Sequence, residues 1–195
     1  ARDIWAYAEL PYCEEKSAGA LCEALKREGF TVEAPVAGIP TCFIATFSCG
    51  SGKPAVGLLA EFDALDGLSQ RAACPVQEPV APGGAGHGCG HNLIAMIGVG
   101  AGIAMREFAD QYGGEIYVFG TPAEENLGGK VQMSEQGAFD DMDVVMMAHP
   151  MDRETNCMNT MALKSLKFKF FGRTAHAAAA PHEGVNALDA VINFF

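Results

Sequence analysis

Apolar runs of strand length alternate with helix-length stretches between residues 41 and 148, and this alternation limits the fold more than any other feature. Thr41 to Phe47 and Ala55 to Phe62 are rich in Phe, Ile, Val and Leu and read as strands. A helix over about 92–110 follows, then a strand from Glu115 to Gly120, a helix near 129–137 and a strand from Val144 to Ala148. Such strand–loop–helix repetition predicts an α/β fold, a mostly parallel sheet with flanking helices. Upstream, residues 2–10 and 12–28 read as two helices, the second with Leu21, Cys22 and Leu25 on its apolar face and Gly29 as its stop. Thr31 to Glu33 reads as a short strand, and Cys49-Gly50-Ser51-Gly52-Lys53 as a hairpin connection between the first two long strands.

From Met161 the pattern changes. Leu166, Phe168 and Phe170 alternate with Lys167 and Lys169, as in a half-exposed strand. A glycine-turn segment follows, and Ala187 to Phe195 reads as an amphipathic helix without a C-terminal cap. We expect a boundary near residue 160, with 1–160 the first part of one domain and 161–195 the start of a smaller one, in an N-terminal fragment of a longer protein.

Composition narrows the partners. The 195 residues are 49% hydrophobic and 19% charged, enough for a real core. A net charge of −11 would repel nucleic acid and anionic membrane, so neither is expected as a partner. The longest apolar run, Leu93 to Met105, is short for a bilayer span and reads as a buried helix. Seven cysteines, an odd count without scaffold spacing, suit a reducing cytoplasm. We read Cys13, Cys22, Cys42, Cys49, Cys74 and Cys157 as core or incidental thiols.

The chemistry gathers where predicted strands end, which is where open α/β sheets place their sites. His87-Gly88-Cys89-Gly90-His91 puts a thiol and two imidazoles in five residues, donors that suit zinc-like ions. Cys89 and His91 can equally be a buried thiol and a structurally bonded histidine. The long Pro/Gly loop over 64–86 leads into this cluster, and loops of that length are usually functional. Glu124 and Glu125 follow a strand and a proline; one carboxylate can hold an ion while the other faces a water, or both can be solvated charge. His149 ends a strand, as a ligand or a structural residue. Asp63 reads as a turn residue or as the group that fixes a metal-bound histidine's tautomer. Glu61 we take as an outward strand residue. His176 either packs at a turn or donates to an oxyanion.

Five motifs in order resemble one family. Gly86 to Asn92 (GHGCGHN), Thr121 to Glu125 (TPAEE), Ala148-His149-Pro150, Gly172 to Ala178 (GRTAHAA) and Pro181 to Asp189 resemble the M20 metallopeptidases, in their amidohydrolase branch. Val36 to Thr41, Glu61 to Leu65 and Gly67 to Gln70 resemble the aminobenzoyl-glutamate hydrolases and M20 dipeptidases within it. The resemblance implies a zinc-peptidase-like catalytic domain over 1–160, the start of an α+β lid domain over 161–195 and homodimerisation through that lid. It implies two divalent ions, zinc or manganese, with Cys89, His91, Glu125 and His149 as ligands. Glu124 matches the general base, Asp63 the aspartate behind the ligands and His176 the lid histidine that steadies the scissile carbonyl. The substrate would be a dipeptide or an N-acyl or aminobenzoyl amino acid. His87 matches no ligand. Asn92 stands where many members have aspartate, and the family's last metal-binding histidine lies after the lid, beyond Phe195. Two other readings stand beside this one: a cysteine hydrolase with Cys89 as nucleophile, and a non-catalytic binding module on the same fold.

Overall fold

The computed structural model describes residues 1–50, 52–126, 128–156 and 161–195. Contacts divide the chain into two units, Ala1–Asp152 and Arg153–Phe195. Both Cys157 and the boundary expected near residue 160 fall outside the described residues.

The first unit is built on five strands: β1 (Thr31–Glu33), β2 (Phe43–Cys49), β3 (Ala55–Ala60), β4 (Gly114–Gly120) and β5 (Val144–Met146), in the order β1-β2-β4-β3-β5. Helices α1 (Arg2–Tyr7), α2 (Glu15–Arg27), α3 (His91–Tyr112) and α4 (Gly129–Glu135) flank them. The α/β expectation holds. Parallel pairing is confined to β3 with β4 and β3 with β5, while β1 and β2 join through antiparallel ladders.

The expected hairpin between β2 and β3 does not form, because β4 lies between them and pairs with both. Parallel neighbours need a long crossover, and α3 supplies it from β3 to β4.

Alternation along the strands divides the core. Leu58 and Ala60 of β3, with Ile116 and Val118 of β4, pack under α2 and α3 against Leu21, Leu25 and Val99. Their alternates, Leu59, Tyr117 and Phe119, face Met133 of α4 and Phe139 on the other side. The helix α3 runs 22 residues, longer than the apolar run suggested, and is long and apolar enough to cross a membrane. Its Ile94, Ala95, Gly98, Val99 and Gly102 are nonetheless buried, the face of a core helix seated on a sheet.

In the second unit Arg173 and Val185 form an isolated bridge, and α5 (Ala187–Phe194) starts where the Asn186 side chain accepts from the Leu188 N–H. Phe168 and Phe170 lie against Phe194, with ring centroids 4.5 and 5.8 Å away. The strand expected at 166–170 is not formed. Its alternation is real, but a strand needs a partner ladder, and none pairs with it among the described residues.

Candidate metal centre

Three segments of the first unit converge on His91. The first leaves β3. Ala60 and Phe62 pack into the core under α3, so the alternate residues Glu61 and Asp63 turn to the other side, and both are almost wholly buried. Asp63 Oδ1 accepts from His91 Nδ1 at 2.8 Å, and its Oδ2 accepts from the Glu125 backbone N–H at 3.0 Å. One carboxylate thereby orients the imidazole and fixes the Glu124–Glu125 turn. With its proton on Nδ1, the neutral ring presents a bare Nε2 lone pair.

The second segment is the glycine cluster. Gly90 has φ 86°, a left-handed turn that glycine adopts without strain, and it delivers His91 as the first residue of α3. Cys89 Sγ lies 3.4 Å from His149 Nε2, while His149 Nδ1 bonds the Pro150 carbonyl at 2.9 Å. His87 stays outside the cluster, bonding the Ile4 carbonyl of α1 at 3.0 Å.

The third segment is the turn after β4. Ala123 has φ 56°, unusual for a residue with a side chain. Its N–H donates to Glu14 Oε1 at 2.8 Å, and Thr41 Oγ1 donates to Glu14 Oε2 at 2.9 Å. Glu14 is fully buried, and burial raises its carboxyl pKa against the pull of these bonds. The Ala123 carbonyl accepts from Gly128 N–H at 2.9 Å, closing the turn that carries Glu124 and Glu125.

Around His91 Nε2 stand Glu61 Oε2 at 3.3 Å, Glu124 Oε2 at 3.7 Å and Glu125 Oε1 at 3.8 Å. Donor atoms of Cys89, His91 and His149 lie within 4.8 Å of one another, as do those of Glu61, His91 and Glu124. Three buried atoms here, His91 Nε2, Glu61 Oε2 and Glu125 Oε1, have no hydrogen-bond partner among the described residues. The electrostatics match this crowding. Burial opposes the charge on Asp63, but the bonds from His91 and Glu125 N–H outweigh it and hold the carboxyl below its ordinary range. Burial likewise opposes protonation of His91, yet the Asp63 bond and the surrounding carboxylates lift its pKa. Burial, then the Glu125, Glu124 and Glu61 charges, pushes the Cys89 thiol up to about 11. A cation is the one thing that satisfies all of these groups at once.

The profile of peptidase family M20/M25/M40 matches residues 57–193. The chain belongs to this family. Among M20 relatives, it is 44% identical over 195 residues to a p-aminobenzoyl-glutamate hydrolase polypeptide of Escherichia coli K12, aligning 98% of the chain with 40% of that protein. It is 37% identical over 205 residues to the Xaa-Arg dipeptidase of Mus musculus, over 98% of the chain and 43% of the relative. The chain thus spans about two fifths of the length of these M20 proteins. A Bacillus subtilis crystal structure, described as a dinuclear metal binding peptidase of the M20 family, shares the fold with a TM-score of 0.63 at 21% identity, covering 74% of this chain and 39% of that one.

The sequence singles out six of the residues near His91 or behind it. Three others emerge only from the fold: Glu61, Glu14 and Lys130, whose ammonium pairs with Glu61. Glu61 is not the outward residue expected of it, because β3 ends beneath the turn that carries Glu124 and both faces of the chain are covered there. A signal for it existed, since it shares strand parity with Asp63. His176 lies in the second unit, where its Nδ1 accepts from the N–H groups of Ala178 and Ala179 at 3.3 and 3.1 Å.

Proposed function

We propose that the whole protein is a metal-dependent amidohydrolase that cleaves the amide bond of an aminobenzoyl or N-acyl amino acid, or of a dipeptide. The observation that carries this reading is the bare, buried His91 Nε2, faced by three carboxylates and flanked by the Cys89–His149 pair. Thiolate, imidazole and carboxylate in one cluster suit zinc or manganese, and the partnerless buried atoms fit such ions. Cys89, His91, Glu125 and His149 would hold two of them. Bound there, the ions polarise the amide carbonyl and acidify the attacking water.

The protein's own residues do the rest. Asp63 keeps the His91 ring turned so that Nε2 faces inward. Glu124, whose side chain is 36% exposed, can reach solvent, take the water's proton on its carboxylate and return it to the leaving amine nitrogen. His176, from the second unit, would donate to the carbonyl oxygen as charge develops on it. That unit we read as the beginning of a lid through which two copies pair. All six described cysteines are free, in keeping with a cytoplasmic setting.

A nucleophilic Cys89 is disfavoured, because a thiol pushed up to about 11 supplies little thiolate at neutral pH. The test is a panel of dipeptides and N-acyl amino acids, including p-aminobenzoyl-glutamate, offered to the whole metal-loaded protein. Turnover by the parent, lost in Glu124→Gln with metal content unchanged, supports the reading. Equal turnover by Glu124→Gln, or none by the parent on any member of the panel, sinks it.

A further inference from the structure

We infer that Glu61 is an additional oxygen ligand of the ion held at His91, kept to one coordinating oxygen by Lys130. The inference rests on the proposed metal-dependent reading and enlarges its ligand set. Glu61 is 1% exposed, and its two oxygens have different surroundings. Oε1 is taken by the Lys130 ammonium. Oε2 has no hydrogen-bond partner among the described residues and points at His91 Nε2, which has none either.

Two buried acceptors 3.3 Å apart with no proton between them repel each other. Either Nε2 is protonated and donates to Glu61, or a cation lies between the two atoms. The separation suits the second case: donors bonded to one tetrahedral zinc at about 2.1 Å lie about 3.4 Å apart. Charge points the same way. Asp63, Glu61, Glu124 and Glu125 crowd one imidazole, and Lys130 offers a single positive charge against them. Lys130 itself sits in the first turn of α4, just after Gly129. There a Cβ would meet the Pro122 carbonyl at 2.4 Å, so the helix packs tightly on the turn that bears Glu124. The tether on Oε1 leaves Oε2 as the free coordinating atom.

The experiment titrates metal-free whole protein with Mn2+ or Zn2+ by calorimetry and counts bound metal by mass spectrometry, in the parent, Glu61→Gln and Lys130→Met. Glu61→Gln should bind one ion about tenfold more weakly or worse and leave the other unaffected. Lys130→Met, which removes a competing cation, should bind at least as tightly as the parent. Parent-like affinity and stoichiometry in Glu61→Gln would overturn the inference and leave the metal reading intact. A parent that binds neither metal overturns both. Should Glu61→Gln fail to fold, the cobalt(II) absorption bands of Glu61→Asp decide: altered bands support coordination, and bands identical to the parent's refute it.

Discussion

Two glycines on α3 differ by two positions and should respond to the same substitution with opposite signs. Gly98 lies on the buried face. A Cβ there would meet the Leu59 carbonyl oxygen at 2.7 Å and the Ala60 Cβ at 3.2 Å, both on β3. The oxygen is backbone and cannot rotate away, so the helix must lift off the strand. Overpacking of this kind costs about 1–3 kcal/mol. Alanine in place of glycine inside a helix returns about 1 kcal/mol. Gly98→Ala should therefore lose up to about 2 kcal/mol, summing those two effects. Gly100 is exposed with nothing within 4 Å of its Cβ position, so Gly100→Ala should keep the propensity gain alone. Urea unfolding of the metal-free protein measures both. Because α3 begins at His91, the lifted helix of Gly98→Ala should also weaken metal binding, whereas Gly100→Ala should not. Equal stabilisation by both alanines would show that α3 does not rest on β3.

Glu14 gives a pH-dependent prediction. Burial raises its pKa in the folded protein, so folding favours its protonated form; the stability it lends is full below the unfolded carboxylate range and is lost as pH rises through the folded pKa. Glu14→Gln should remove that slope, so the parent loses stability relative to the variant as pH is raised from about 4, read by urea midpoints. Glu14→Ala instead strands the Ala123 N–H and the Thr41 hydroxyl, at about 1–3 kcal/mol each, and should lower turnover by loosening the Glu124 turn. Asp63→Asn cannot serve both its partners: an amide that accepts from His91 Nδ1 points its NH2 at the Glu125 N–H, and the flipped amide forces the His91 proton onto Nε2. Metal affinity should fall about 10–100-fold, seen by calorimetry.

Local pattern carried the elements well and their arrangement poorly. The strands β2, β3 and β4 and the helix α3 were legible because periodicity is a property of neighbouring residues. That β4 sits between β2 and β3 was not, since strand order depends on a crossover that no window of sequence records. Cys89, His91, Glu124, Glu125 and His149 stood out as metal-ligand types at strand ends. Glu14 did not, because a lone glutamate before a helix looks solvated until Thr41 and Ala123, far along the chain, bury it. Lys130 was invisible for the same reason: its meaning is its pairing with Glu61 across 69 positions. The alternation at 166–170 was read correctly as a pattern and wrongly as a strand, because pattern does not supply a partner.

Metal dependence tests the central claim most directly. The whole protein should be stripped with a chelator, dialysed and assayed on a substrate it turns over, before and after addition of Zn2+ or Mn2+. Turnover should vanish with the metal and return with it, reaching a plateau at about two equivalents per polypeptide. Undiminished turnover by protein shown to be free of metal would contradict the account.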